Sequence, residues 1–360
     1  MRRFPRTILL ALSIALIFTG CGSPKPPQPP SLKLPKPPSD LRAARKGNKV
    51  LLSWTIPTVT TDRQTARSFG ATDICRGLQA ALTKCGTPVG QAAPLPVAGK
   101  AAGKKLTGTY SDVLPPALLE NNATAFATYA IEVLNAEGQG AVLSNQVHVA
   151  LAATLSPPPD FAAHVTSKGV DLTWTGDAPA PTAQLRYVYR VYRRQEGSQQ
   201  EVLAGELPGN GTKSFSLTDT SFEWEKTYEY HAEAVTVIAQ PEKTEIRVDG
   251  DDTPDVKVFA HDVFPPAVPS GLQAAFSGPG QEAFIDLIWA PDTDADLNGY
   301  NVYRHEEGAA AVRVNTELVK TPAYRDTAVS PGKRYFYSVS AVDLRGNESA
   351  RSEETSESVP

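Results

Sequence analysis

The sequence predicts an all-β chain in which three similar modules, each a small sandwich or barrel, follow one another behind a targeting segment. Three observations predict it. The run VLLSW ending at Trp54 returns as VDLTW ending at Trp174 and as IDLIW ending at Trp289. Val, Thr, Tyr and Ile alternate with polar residues, and turn residues recur at short intervals, which is the pattern of short strands. Proline clusters at Pro157–Pro159 and Pro265–Pro266 divide the chain into stretches of ordinary domain size. The expected division is residues 1–20, 21–38, 39–154, 155–262 and 263–360.

The first segment reads as a signal peptide. Arg2, Arg3 and Arg6 form a basic start, and Ile8 to Phe18 is an apolar run of 11 residues broken only by Ser13. That is too short to span a bilayer as a helix and suits a signal-peptide core. Phe18-Thr19-Gly20-Cys21 resembles the lipobox of bacterial lipoproteins. The resemblance implies that Cys21 is the mature N-terminus and carries acyl chains such as palmitate, so that the protein contacts the membrane through lipid. Elsewhere no apolar run approaches the roughly 20 residues a span needs. The expected location is the cell envelope, lipid-anchored. Gly22, in place of an aspartate after the lipid cysteine, favours the outer membrane in a Gram-negative host.

Charge narrows the partners. The chain has 35 basic and 39 acidic side chains, a net of −4. Removal of residues 1–20 takes away three arginines and leaves 32 against 39, a net of −7. Such a balance argues against a nucleic-acid footprint. A protein or glycan partner in the envelope is the expectation.

Residues 22–38 contain eight prolines in seventeen positions. Such a segment favours polyproline II, at about 3.1 Å per residue, and is expected to act as a semi-rigid tether. The short junctions at 156–160 and 262–266 are expected to limit bending between modules.

The third module carries the strand pattern most plainly. IDLIW (285–289) is followed by GYNVYR (299–304) and by the run YRDTAVSPGKRYFYSVSAVD (324–343). In the last of these, Tyr335, Tyr337, Val339 and Ala341 share one face and Phe336, Ser338, Ser340 and Val342 the other, as in a half-buried strand. With the closing GNES at 346–349, these residues resemble a fibronectin type III domain of the kind common in secreted bacterial proteins. The resemblance implies a seven-stranded, immunoglobulin-like β-sandwich in each module. It implies that Trp289 is core and that Tyr335 is a tyrosine corner, its hydroxyl bonding back to the loop backbone.

The second module repeats the scheme. Trp174 matches Trp289, YRVYRR (189–194) matches YNVYRH, and Tyr228 falls where Tyr335 does. Its last hairpin reads as long, with an acidic tip from Asp249 to Asp255. The first module diverges. Trp54 is in place and TDICRG (72–77) stands for GYNVYR, but Ala127 occupies the corner position. Residues 90–108, rich in Ala, Gly, Lys and Pro, read as a loop.

Other constellations point to structure before chemistry. Cys75 and Cys85 are ten residues apart, and a hairpin centred near Ala80 would set them opposite each other, within disulfide reach. Outside the cytosol such a pair oxidises. Asp292, Asp294, Asp296 and Asn298 alternate as calcium ligands can, but Tyr303 stands where an EF-hand has its glutamate. Gly99–Lys105 (GKAAGKK) fails the phosphate-loop pattern. The five histidines are dispersed, and no GxSxG or HExxH is present. Asn122, Asn210 and Asn347 head glycosylation sequons that a bacterial lipoprotein leaves bare. Tyr187 and Tyr189 read as core, whereas Tyr192 and Tyr303, flanked by Arg190, Arg193 and Arg304, are the exposed aromatic candidates. No catalytic, cofactor-binding or metal residues are assigned. The expected function is a non-catalytic, lipid-anchored spacer and protein-interaction scaffold. The alternative is a carbohydrate-binding or enzyme-accessory surface protein.

Overall fold

The computed structural model describes residues 31–65, 68–94, 106–240 and 244–360. Cys21 and residues 22–30 of the proline-rich segment lie outside the described residues. The described chain forms two compact units. One holds residues up to Ala43 with Leu51–Asp112 and Ala127–Val149, and the other holds Ala44–Val50, Val113–Phe126 and Ala150–Pro360. The fold is an all-β sandwich architecture, as the sequence predicts.

The chain begins with β1 (Arg42–Lys46), β2 (Lys49–Thr55), β3 (Thr72–Gly77), β4 (Gly90–Ala92), β5 (Thr107–Val113), the helix α1 (Pro116–Glu120), β6 (Phe126–Val133) and β7 (Val147–Ala150). Strands β1, β2 and β5 are neighbours in that order, and β4-β3-β6-β7 make a separate sheet. In β2, Val50, Leu52 and Trp54 are buried while Lys49 and Leu51 face water, the period of two expected of a strand with one buried face. Two expectations need correction here. Residues 90–108 are not one loop, because Gly90–Ala92 pairs with β3 at its edge and Thr107 opens β5. The biased composition applies to 95–105, outside the described residues. The tether is also shorter than residues 22–38. Pro35 bridges Thr60, the Lys36 amide donates to the Val59 carbonyl at 3.0 Å, and Pro35 and Pro38 are buried. Proline removes a donor but leaves its neighbours' amides free to pair, so the end of the segment is held.

The next strands are β8 (Ala162–Thr166), β9 (Gly169–Thr175), β10 (Leu185–Gln195), β11 (Glu201–Gly209), β12 (Ser214–Asp219), β13 (Thr227–Ala239), β14 (Glu245–Asp252) and β15 (Val256–Phe259). One layer runs β12-β9-β8 and the other β11-β10-β13-β14, with β15 also on β13. Val170, Leu172 and Trp174 from the first layer meet Tyr189, Val191, Tyr228 and Tyr230 from the second in one core. Trp174 stacks on Phe215 with ring centroids 5.5 Å apart, and Tyr189 meets it edge-on at 5.9 Å. The acidic stretch is not a hairpin tip. Asp249 pairs with Val235 inside the β13–β14 ladder, which also pairs Ala239 with Glu245.

The last strands are β16 (Gln273–Phe276), β17 (Ile285–Ile288), β18 (Leu297–Glu306), β19 (Val312–Arg313), β20 (Ala323–Asp326), β21 (Lys333–Asp343) and β22 (Thr355–Val359). The layers are β16-β17-β20 and β19-β18-β21-β22. Ile285, Leu287, Trp289, Tyr300, Tyr335 and Tyr337 share the core. Strand β21 is buried on both faces along most of its length, not half-buried. The small side chains of Ser338 and Ser340 let polar neighbours lie over the second face. Glu348 accepts hydrogen bonds there from Ser340, from Tyr303 (2.6 Å) and from Asn301 (3.0 Å).

Candidate functional site

The same three-residue lock appears three times, joining the two layers of each sandwich. Arg76 Nη1 donates to Asp112 Oδ2 at 2.6 Å, and the Tyr129 hydroxyl donates to the same oxygen at 2.6 Å. Arg193 and Tyr230 converge on Asp219 Oδ2 at 2.6 and 3.1 Å. Arg304 and Tyr337 converge on Asp326 Oδ2 at 2.7 and 2.9 Å. In each case the arginine and tyrosine come from neighbouring strands of one sheet and the aspartate from the end of a strand in the other. The aspartates are 7%, 2% and 2% exposed, so these are internal ion pairs. Burial first, and the adjacent carboxylate with it, pushes all three tyrosine hydroxyls well above the ordinary tyrosine range.

A second layer of support accompanies two of the locks. Tyr228 and Tyr335 are buried, and their hydroxyl oxygens accept the amides of Glu223 and Ser330, both at 3.0 Å. Arg193 and Arg304 lie over these rings at 5.2 and 5.0 Å, within cation–π range. Ala127 replaces the ring in the first module, and it too is buried.

These contacts change the reading of the exposed aromatic candidates. Arg193 and Arg304 point to the opposite face from Tyr192 and Tyr303, because neighbours on a strand alternate. The tyrosines themselves are engaged. Tyr192 stacks on His231 at 5.4 Å and donates to Glu233 at 3.1 Å, and Arg351 covers the Tyr303 ring at 3.8 Å. Tyr189 is fully buried and Tyr187 packs against the same core. Among the described histidines, His231, His261 and His305 each lie against a carboxylate, and His148 contacts the Thr128 hydroxyl.

Cys75 and Cys85 form a disulfide, with Cα atoms 5.2 Å apart. The geometry differs from a cross-strand pair. Cys75 sits in β3 opposite Ala130, and Cys85 lies in the irregular segment before β4. The bridge therefore fastens a loop to a strand.

The alternating carboxylates at 292–298 do not converge on one point. Asp292 Oδ1 accepts the Asp294 amide, Asp294 Oδ2 accepts the Ala267 amide, and Asn298 Oδ1 accepts Lys320 Nζ at 2.7 Å. Asp296 alone turns toward two distant residues, Asp262 and Asp343, with one carboxylate oxygen of each within 4.8 Å of the others. Burial, then the charges of Asp262 and Asp343, raises the Asp296 carboxyl above its ordinary pKa. The donors are hard oxygens, of the class that suits calcium or magnesium.

In the first compact unit a cavity of about 510 Å3 opens beside Trp54, Phe69 and Tyr110, with Gln91 and Thr72 on its wall. Trp54 and Phe69 are 3% and 8% exposed, so neither offers a flat stacking platform. Among the described residues no helix is long and apolar enough to cross a membrane.

No family model matches the chain. Over 243 residues, 64% of its length, it is 28% identical to exoglucanase B of Cellulomonas fimi. Over 95 residues, 26% of its length, it is 39% identical to an amylopullulanase of Thermoanaerobacterium saccharolyticum. The chain spans only 20% and 7% of these relatives. Among solved structures it is similar to the FN1–FN3 domains of chicken CNTN1, at 15% identity and a TM-score of 0.27, covering 91% of this chain and all of that one. It is also similar to an Fn3-like protein from Clostridium thermocellum, at 33% identity and a TM-score of 0.23, covering 27% of this chain and 96% of that one. The chain is an all-β sandwich protein whose sequence matches part of an exoglucanase and part of an amylopullulanase.

Proposed function

We propose that this is a non-catalytic, lipid-anchored protein of the cell envelope, in which three fibronectin type III modules serve as a spacer and as a scaffold for a protein partner. The observation that carries the reading is the triple Arg–Asp–Tyr lock. In each module a buried aspartate, paired with an arginine and a buried tyrosine hydroxyl, is committed to holding the sheets together in the same way. The tyrosine corners at Tyr228 and Tyr335 support the family assignment, and the lipobox-like Phe18–Cys21 supports the anchor. Crosslinking in intact cells, followed by identification of what is captured, tests the scaffold role. A reproducible envelope partner, lost when one module is deleted, is expected; enzymatic turnover by the purified chain would overturn the reading. For the anchor, Cys21→Ser is expected to abolish acyl labelling and move the protein to the soluble fraction.

A second reading, carbohydrate binding or assistance to an enzyme, is favoured by the exoglucanase and amylopullulanase matches. It predicts retention on insoluble polysaccharide, measured by pull-down, and the scaffold reading predicts none.

A further inference from the structure

The sequence has two Asn-Gly pairs, Asn210-Gly211 and Asn298-Gly299, and the fold treats them in opposite ways. Asn210 and Gly211 are exposed in the turn between β11 and β12. Gly211 has φ +85°, and a Cβ built on it would meet nothing within 4 Å. Its amide donates to no acceptor among the described residues. The side-chain carbonyl of Asn210 is polarised from two directions. Oδ1 accepts the Thr212 hydroxyl at 2.6 Å and the Thr212 amide at 3.2 Å. The leaving nitrogen, Nδ2, is held by no described group.

We propose that Asn210 is a site of spontaneous deamidation. The Gly211 amide nitrogen loses its proton to water and attacks Asn210 Cγ. The new N–Cγ bond closes a five-membered imide, the Cγ–Nδ2 bond breaks, and the nitrogen leaves as ammonia after taking up a proton. Water then opens the imide at either carbonyl, leaving aspartate or isoaspartate at position 210. The net change is one water consumed and one ammonia released, with no oxidant or reductant. The two donors on Oδ1 sit where negative charge develops in the tetrahedral intermediate, the same electrostatic device as an oxyanion hole. The site lies open to solvent, so their effect falls well short of the 10²–10³-fold seen in enclosed sites. The extra backbone carbon of isoaspartate falls in a turn outside both strands, so the sandwich keeps its core.

Asn298-Gly299 is the internal control. Gly299 is buried within β18, and a Cβ there would come within 2.7 Å of the Val319 carbonyl. Lys320 Nζ binds both the backbone oxygen and Oδ1 of Asn298, at 2.5 and 2.7 Å. That donor polarises the amide too, but the backbone has no room to carry the Gly299 nitrogen onto Cγ.

The test is peptide mapping by mass spectrometry of the purified full chain, aged at neutral and mildly alkaline pH. A gain of one mass unit at Asn210 is expected at least about tenfold faster than at Asn298. In urea the two rates are expected to converge, because the sequence pair is the same and only the fold separates them. Thr212→Val is expected to slow Asn210 several-fold while leaving the melting profile unchanged. Equal rates in the folded protein, a rate difference that persists in urea, an unslowed Thr212→Val variant, or a glycan on Asn210 would each overturn the proposal.

Discussion

Asp219 lies at the end of β12, 2% exposed, with Arg193 Nη1 at 2.6 Å and the Tyr230 hydroxyl at 3.1 Å on one oxygen. Asp219→Ala leaves a guanidinium that is itself only 9% exposed without its counter-ion. Arg193 keeps its bonds to Ser221 at 3.1 Å, but these are neutral acceptors. Breaking one side of a buried pair costs about 3–5 kcal/mol, mostly the penalty of the stranded charge. Tyr230→Phe keeps the ring and removes one hydrogen bond to a charged acceptor that retains its arginine. That change is expected at the lower end of the range for such bonds, about 1.5 kcal/mol. Replacing both members, Asp219→Ala with Arg193→Met, removes the stranded charge, so the double variant is expected to lose less than the sum of the single changes. Several sandwiches in one chain do not unfold as a single two-state step. Native-state hydrogen exchange, read on peptides from β12 and β13 of the full chain, therefore measures the local stability. The exposed pair Arg325–Asp286, with side chains 57% and 41% exposed, is the comparison, and Asp286→Asn is expected to change little. If Asp219→Ala cost no more than Asp286→Asn, or if the double variant were strictly additive, the reading of the triad as an internal lock would be wrong.

Further outcomes follow from other contacts. Reduction of Cys75–Cys85, or Cys85→Ser, is expected to lower the stability of the first sandwich by about 2–3 kcal/mol on the chain-entropy model, with two thiols alkylated only after reductant. At Glu348 burial acts to raise the carboxyl, but hydrogen bonds from Ser340, Tyr303 and Asn301 and the charge of Arg351 outweigh it and hold the pKa below the ordinary value. Its contribution to stability is therefore complete above the ordinary glutamate pKa and is lost as pH falls through the lower folded value, and Glu348→Gln is expected to flatten that acid limb in a melting series. Asp296 has the opposite sign. Its raised folded pKa means stability declines as pH rises from the ordinary aspartate value through the folded one, so in chelated buffer Asp296→Asn is expected to raise the melting temperature at neutral pH. A fall seen only after calcium is added back would mean that the charge is used, as a bound cation would use it.

Most of the architecture was legible because burial in a sandwich imposes a period of two, and Val170, Leu172 and Trp174 carry it without interruption. The role of Tyr335 followed from the resemblance to a fibronectin type III domain, and that of Tyr228 from its match to Tyr335. The locks were not. Arg193 and Arg304 sit beside outward tyrosines in YRVYRR and YNVYRH, and a charged residue on a strand is ordinarily assigned to the wet face. Their partners Asp219 and Asp326 stand in LTDT and YRDT, which read as turn residues. A signal was present: an Arg, an Asp and a Tyr recur at matching places in all three modules, and a charge that recurs at an inward position implies a partner. The two-sided burial of β21 escaped because Ser338 and Ser340 look solvent-facing when only polarity is weighed. Their small size, which lets Glu348 and Asn301 close over them, matters more. Asp262 and Asp343 could not be joined to Asp296 without the fold, since neither lies within thirty residues of it in sequence.

The recurring Arg–Asp–Tyr contact also bears on how strands find their places. Alternating greasy and polar side chains tolerate a slip of two residues, since every side chain stays on its own face. Such a slip would carry Asp219 roughly 6.8 Å along its strand, out of reach of both partners. The carboxylate thus pins the register that hydrophobicity leaves degenerate. It says nothing, however, about which copy of the motif a strand belongs to. Asp112, Asp219 and Asp326 meet the same pair of side chains, so the contact fixes where a strand stands in its sheet without distinguishing one copy of the motif from another.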